Sequence, residues 1–239
     1  MPKTLLLWDL DGTLYPDTPQ IKQIFESAVC NALRETVHPQ LSDHDALHLI
    51  KTSRKLFGDS LTGLAKKGFD LGKIHEAHHR HLDHRPIARN DSLAAALANA
   101  EKDGIRHAIL THGHSDWAKR VLQQVGIDSF FDDAHIISTE KIDFLKKQNG
   151  PDAFERALNI LGHTATETIM IEDAVKNLLH PHRMGMGTIL IDPKAAYSHA
   201  TKPDYVGILS PDATQALQVL RQNNYMIAPA AQTIATARP

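Results

Sequence analysis

The chain of 239 residues contains a single cysteine, Cys30. It can form no disulfide within itself, and a reducing compartment is expected. Its charges nearly cancel: 26 lysines and arginines face 28 aspartates and glutamates, for a formal net charge of -2. Such a balance gives no bulk attraction to nucleic acid or to an anionic membrane, and no long basic run supplies one locally. No apolar run approaches membrane-spanning length, and the first residues lack the pattern of a secretory leader. Internal repeats are also missing. These absences lead us to expect a soluble, cytoplasmic protein with no nucleic-acid polymer or membrane as partner.

With 42% hydrophobic residues the chain can bury a sizeable core, as one large domain or as a core with a smaller insertion. The stretch Leu5-Leu6-Leu7-Trp8 is an apolar run that ends in Asp9-Leu10-Asp11-Gly12-Thr13-Leu14-Tyr15. Its pattern predicts a strand buried on both faces, with polar side chains presented at its carboxyl end. Two carboxylates at i and i+2 project from the same side of the chain. Their repulsion calls for a cation between them or a proton on one. Asp9 and Asp11 therefore suggest a metal site, an acid/base pair or both, against the plainer reading of an Asp-Gly turn closing a strand.

Residues 16 to 86 read as helical throughout. Thr18 can cap a helix with Pro19 at its first position, Ser42 starts a second, a short segment follows from Ser60 to Lys67, and Asp70 caps a helix that reaches about His81. From Asn90 onward the pattern alternates. Helices are expected over 91–102, 115–125, 151–161 and 174–184, and short apolar strands over 106–110, 135–137, 168–171, 188–191 and 205–209. This alternation implies an α/β, Rossmann-like parallel sheet with helices on both faces and ligands at the strands' carboxyl ends. Polar clusters follow three of those strands: Asp9 and Asp11, then Thr111-His112-Gly113, then Glu172-Asp173. The stretch after Leu220 has no periodicity and is expected to be disordered.

The first cluster resembles the opening motif of the haloacid dehalogenase-like hydrolases, most of which are phosphatases. Ile109-Leu110-Thr111 is similar to the second motif, Lys147 stands near the third, and Ile169-Met170-Ile171-Glu172-Asp173 is similar to the fourth. The resemblance implies a core made of residues 1–15 and 87–221, an all-helical cap over 16–86 and a tail over 222–239. It further implies an aspartyl-phosphate mechanism, with Asp9 as nucleophile and Asp11 as general acid. Mg²⁺ would be held by Asp9, Asp173 and the carbonyl of Asp11. Thr111, His112, Gly113 and Lys147 would bind the phosphoryl group, and Glu172 would orient waters or the lysine. Within the superfamily, Tyr15, the segment from Phe57 to Leu64 and the segment from Glu172 to Leu178 resemble pyrimidine 5'-nucleotidases, which implies a nucleoside 5'-monophosphate as substrate. A sugar phosphomutase and a phospholigand-binding regulatory protein with little turnover are the alternatives.

Two departures from the family pattern bear on the site. No proline follows Lys147 at once, which leaves Lys146 and Lys141 as competitors for its position, and His112 stands where asparagine is frequent. The histidines His75, His78, His79, His81 and His84 crowd the last helix of the helical block. His75 and His79 share a face and could bind a transition metal, but no carboxylate or cysteine completes the set, so a solvated or lid-facing role is expected.

Overall fold

The computed structural model describes residues 4–57 and 62–225. Strand β1 (Leu5–Trp8) lies at the middle of a six-stranded sheet with β2 (Arg106–Leu110), β3 (Ile136–Ile137), β4 (Thr168–Glu172), β5 (Gly187–Ile191) and β6 (Ile208–Ser210). The order is β3-β2-β1-β4-β5-β6 and every pairing is parallel. The four residues of β1 are fully buried because strands flank them and helices cover both faces. Leu6 and Trp8 enter one core with Ile109, Ile171, Trp117 and Leu217, whereas Leu5 and Leu7 enter the other with Leu110, Met170 and Phe154. The alternation of side chains along the strand thus feeds two separate layers.

In this order the direction of winding reverses between β1 and β4, which opens a crevice beyond their carboxyl ends. Leu7 stands beside Met170 and Trp8 beside Ile171, and the Asp9 amide donates to the Ile171 carbonyl at 2.9 Å. That register brings Asp9 alongside the end of β4, where Glu172 and Asp173 follow.

Between β1 and β2 the chain forms α1 (Pro19–Thr36), α2 (Asp43–Phe57), the short α3 (Thr62–Ala65), α4 (Leu71–His81) and α5 (Asp91–Lys102). Local chemistry sets the starts of these helices. The Thr18 hydroxyl accepts from the Ile21 amide with Pro19 next in line, and Asp70 and Asn90 accept from the amides of Lys73 and Leu93. Helices α1 to α4 enclose a small core of their own around Leu33, Ile50, Leu64 and Ile74. Residues 58–61, half of the segment from Phe57 to Leu64, lie outside the described residues, as do residues 226–239 of the expected tail. Before them, Gln222 ends a helix and the Tyr225 hydroxyl donates to Asp103 at 3.0 Å.

The remaining helices are α6 (Ser115–Val125), α7 (Asp152–Leu161), α8 (Leu179–Arg183) and α9 (Ala213–Gln222). Helix α6 ends at Gly126, whose φ of 82° is the left-handed conformation that a terminal glycine adopts without strain. The single helix expected over 174–184 is divided into a 3₁₀ turn (Val175–Leu178) and α8. Pro181 has no amide hydrogen to give the carbonyl of Asn177, so it is accommodated only in the first turn of a helix that starts later. The last strand begins at Ile208 rather than Tyr205. The Tyr205 carbonyl and the Gly207 amide are both bound by the Thr188 side chain, at 2.7 and 2.9 Å. Among the described residues no helix is long and apolar enough to cross a membrane.

Candidate active site

The carboxyl ends of β1, β2 and β4, together with one loop, converge on Asp9. Its Oδ1 accepts from Lys147 Nζ at 2.5 Å and its Oδ2 from the Thr13 hydroxyl at 3.2 Å. Lys147 Nζ also donates to Glu172 Oε2 at 2.6 Å and to the Leu110 carbonyl at 3.1 Å, and its side chain is only 1% exposed. Of the three lysines in question, it is therefore Lys147 that reaches the carboxylates. Lys141 instead donates to the carbonyls of Asp133 and Ile136, and Lys146 lines a neighbouring cavity of about 250 Å³ with Thr62, Leu71 and Phe144.

Oxygens of Asp9, Glu172 and Asp173 all lie within 4.8 Å of one another, the only set of metal-capable side chains among the described residues. One lysine faces three carboxylates, an imbalance that protons or a cation must relieve. Burial, and then the charge on Glu172, push Asp9 up to about 7 despite Lys147. Burial, and then Asp9 and Glu172, push Asp173 up to about 8. A cluster of hard oxygens with surplus negative charge, Asp9 and Glu172 buried and Asp173 partly open to solvent, suits a small divalent cation such as Mg²⁺. Glu172 is the least free of the three, since its second oxygen accepts from the Ala174 amide at 3.2 Å. Gly12 makes room for the cluster: with φ at 85°, a Cβ there would stand 2.4 Å from Asp173 Oδ2.

Asp11 has a different environment. Its Oδ1 accepts from the Tyr15 hydroxyl at 2.5 Å and from Trp117 Nε1 at 2.8 Å. An oxygen that accepts two donors has no room for a proton of its own, which leaves Oδ2 to carry one. Burial raises the Asp11 pKa, although both hydrogen bonds oppose the rise. A Cβ on Gly113 would lie 3.6 Å from Asp11 Oδ2 and 3.2 Å from Thr111 Oγ1, so Asp11 and Thr111 face the same small space. Thr111 Oγ1 accepts from the Gly113 amide at 2.9 Å, which leaves the hydroxyl hydrogen available and commits that amide.

The ring of His112 turns away from this space, and its Nε2 accepts from the Lys147 amide at 3.1 Å. For the histidines of α4, expected to be solvated or to face the site as part of a lid, it is the solvated alternative that fails at two positions. His75 and His79 are buried rather than solvated, with ring centroids 4.2 Å apart. His81 reaches Glu35 at 3.0 Å. Sequence reasoning gave Trp117 no part in the site, and nothing around it in the chain marks it. It stands 106 residues from Asp11 on the first turn of α6.

Comparison with known proteins agrees with this architecture. The chain is 27% identical over 217 residues to the pyrophosphatase PpaX of Halalkalibacterium halodurans, covering 87% of this chain and 93% of that protein. A HAD phosphatase from Thermococcus onnurineus superposes with a TM-score of 0.61 at 16% identity, covering 91% of this chain and 97% of that one. A hydrolase from Pseudomonas syringae gives 0.59 at 21% identity, covering 92% and 99%. The family model for haloacid dehalogenase-like hydrolases matches residues 3–183, and the chain belongs to that family.

Proposed function

We propose that the protein is a Mg²⁺-dependent phosphatase that works through a phosphorylated Asp9. The observation that carries this reading is the unequal treatment of the two aspartates. Asp9 sits against Lys147 among further carboxylates, while Asp11 is half-buried, held at one oxygen and left to move a proton at the other. A departing halide needs no proton, whereas an alkoxide or a phosphate does, so a positioned acid favours phosphoryl transfer over dehalogenation.

In the first half of the reaction an oxygen of Asp9 attacks phosphorus, the bond from phosphorus to the leaving oxygen breaks, and Asp11 Oδ2 gives its proton to that oxygen. In the second half Asp11, now a carboxylate, takes a proton from water as the water attacks phosphorus and the bond to Asp9 breaks. The Thr111 hydroxyl and the amide of His112 would bind phosphoryl oxygens, and Lys147 would offset charge on Asp9 and on the transferred group. Asp9, Asp173 and the carbonyl of Asp11 would hold Mg²⁺, with Glu172 orienting Lys147. When bound, the metal would add positive charge opposite the phosphoryl oxygens. The helical segment over residues 16–86 would act as the cap that shelters this chemistry.

For the substrate, the resemblance around Tyr15 and Glu172 to Leu178 supports a nucleoside 5'-monophosphate, and the relatives named pyrophosphatases support inorganic pyrophosphate as a second reading. Phosphate release over nucleoside monophosphates, pyrophosphate and sugar phosphates, with and without Mg²⁺, decides between them. Asp9→Asn should lower turnover by roughly a thousandfold or more, and full activity in that variant would overturn the mechanism. A requirement for a sugar bisphosphate primer would point to a mutase. Tight binding without turnover would point to a regulatory protein.

A further inference from the structure

Lys147 must be held to within a fraction of an ångström of Asp9, yet it comes from an irregular loop. That loop lies between the turn Thr139–Ile142 and α7. Two successive residues in it that are not glycine, Asp143 and Phe144, adopt left-handed backbone with φ of 53° and 59°. A bulky residue adopts such a conformation only when its surroundings impose it. Part of those surroundings is local, since the Phe144 amide donates to the Thr139 carbonyl at 2.8 Å and Asp143 pairs with Arg156 at 2.8 Å, and two histidines add to them. The Nε2 of His112 accepts from the Lys147 amide at 3.1 Å. The carbonyl of the same His112 accepts from Nε2 of His75, on α4, at 3.0 Å. The His75 ring also meets Phe144 edge-on, with centroids 5.4 Å apart.

The tautomers follow from these partners. A carbonyl can only accept, so His75 carries its hydrogen on Nε2. An amide can only donate, so His112 keeps Nε2 bare. Helix α4 is held near its C-terminal end as well, where Arg120 of α6 donates to the carbonyls of His79 and Leu82 at 2.6 and 3.1 Å.

We propose that His112 and His75 are positioning residues that make the placement of Lys147 depend on α4 being seated against the sheet domain. With α4 seated, His75 covers Phe144 and fixes the His112 backbone, and the His112 ring holds the lysine loop by its amide. With α4 displaced, Phe144 loses its cover, the His112 carbonyl loses its partner, and the loop relaxes away from Asp9. The inserted helical segment thereby completes the charge balance at the nucleophile, in addition to covering it. This deepens the phosphatase reading and rests on it only for its kinetic consequence.

The test compares the full-length protein with His112→Gln, His112→Leu, His75→Gln and His75→Phe. Glutamine keeps an acceptor at position 112 and a donor at position 75, whereas leucine and phenylalanine remove them. Hydrogen exchange at the Lys147 amide should be about tenfold faster or more in His112→Leu and His75→Phe and close to wild type in both glutamine variants. With p-nitrophenyl phosphate and Mg²⁺, kcat should fall by about tenfold in His75→Phe, whose position lies outside the phosphate-binding groups, with KM within about twofold of wild type. Unchanged exchange in both, or glutamine variants as impaired as the apolar ones, would overturn the proposal. If His112→Leu fails to fold, His75→Phe decides alone, because it keeps the ring packing on Phe144 and removes only the donor. If the wild-type protein releases no phosphate from any substrate, the phosphatase reading fails while the exchange comparison still stands.

Discussion

His79→Phe should make the protein more resistant to acid, by an amount that can be worked out from the site. His79 is 5% exposed, and its ring contacts those of His75, His78 and His114. Burial, and then its histidine neighbours, push its pKa down to about 2 from the ordinary 6.5. Between those values the unfolded chain binds a proton that the folded one refuses. The contribution of His79 to stability is therefore complete above pH 6.5 and falls as the pH drops below it. From pH 6.5 to 5.0 the loss amounts to about 2 kcal/mol for this one group. His78 and His107, each pushed down to about 4 by burial, act in the same direction. Asp9 and Asp173 oppose them, because carboxylates with raised pKa values stabilise the fold as it takes up protons. A wild-type profile alone would thus mix opposing terms, and a difference between proteins isolates one. Urea unfolding followed by circular dichroism at pH 7.5 and pH 5.0 should show His79→Phe gaining about 2 kcal/mol on the wild type between the two conditions. A phenylalanine ring keeps most of the packing, and the bond from His79 Nδ1 to the His75 carbonyl, at 2.7 Å, is its one hydrogen bond that is lost. If the gap between the two proteins were the same at both pH values, the claim that His79 is neutral in the fold would fail.

Three further outcomes follow from the candidate active site. Mg²⁺ should raise the thermal midpoint more at pH 8 than at pH 6, because raised carboxylates such as Asp9 and Asp173 weaken the fold as they ionise on the way up through about 7 and about 8; equal shifts measured by scanning calorimetry would refute this. Lys147→Met leaves Asp9 and Glu172 facing each other without a cation and should cost about 3–5 kcal/mol at pH 8, less at pH 6, along with phosphate release; chemical denaturation at the two pH values measures it. Trp117→Phe removes a donor that favours the ionised form of Asp11, so the alkaline limb of the kcat/KM profile, where Asp11 loses the proton it must deliver, should move to higher pH; a limb that stays in place would show that Trp117 does not tune the acid.

Much of this fold is legible in the sequence because its signals are local. Thr18 followed by Pro19, Asp70, Asn90 and the run from Leu5 to Trp8 each specify a start or a strand through groups only a few residues apart. Site residues that follow a strand are legible for the same reason: Asp9, Thr111 and Asp173 are delivered by strand ends. Lys147 is different. It comes from a loop with no periodicity, and what selects it over Lys141 and Lys146 is its reach across 138 residues of sequence to Asp9. Trp117 and His75 are hidden for a related reason. Read from the sequence, Trp117 has no role and His75 only a solvated or lid-facing one, and only the packing of α6 and α4 against the sheet gives them Asp11 and the His112 carbonyl as partners.

The two aspartates of the first motif show how far spacing alone can carry. An i and i+2 pair at a strand end says that two carboxylates are close, and by symmetry each could hold a metal, a nucleophilic lone pair or a proton. The symmetry is broken by donors from elsewhere. Asp9 receives a full positive charge from Lys147, which favours its ionised form against the rise that burial and its acidic neighbours cause, and on the proposed reading Asp9 supplies the oxygen that attacks phosphorus. Asp11 receives only neutral donors, from Tyr15 and Trp117, both on one oxygen. Neutral donors fix orientation without supplying charge, so burial keeps its proton within reach at the other oxygen. Exchanging the two kinds of partner would exchange the roles. On the proposed reading, the division of labour between Asp9 and Asp11 resides in a loop lysine and a helix tryptophan rather than in the motif itself.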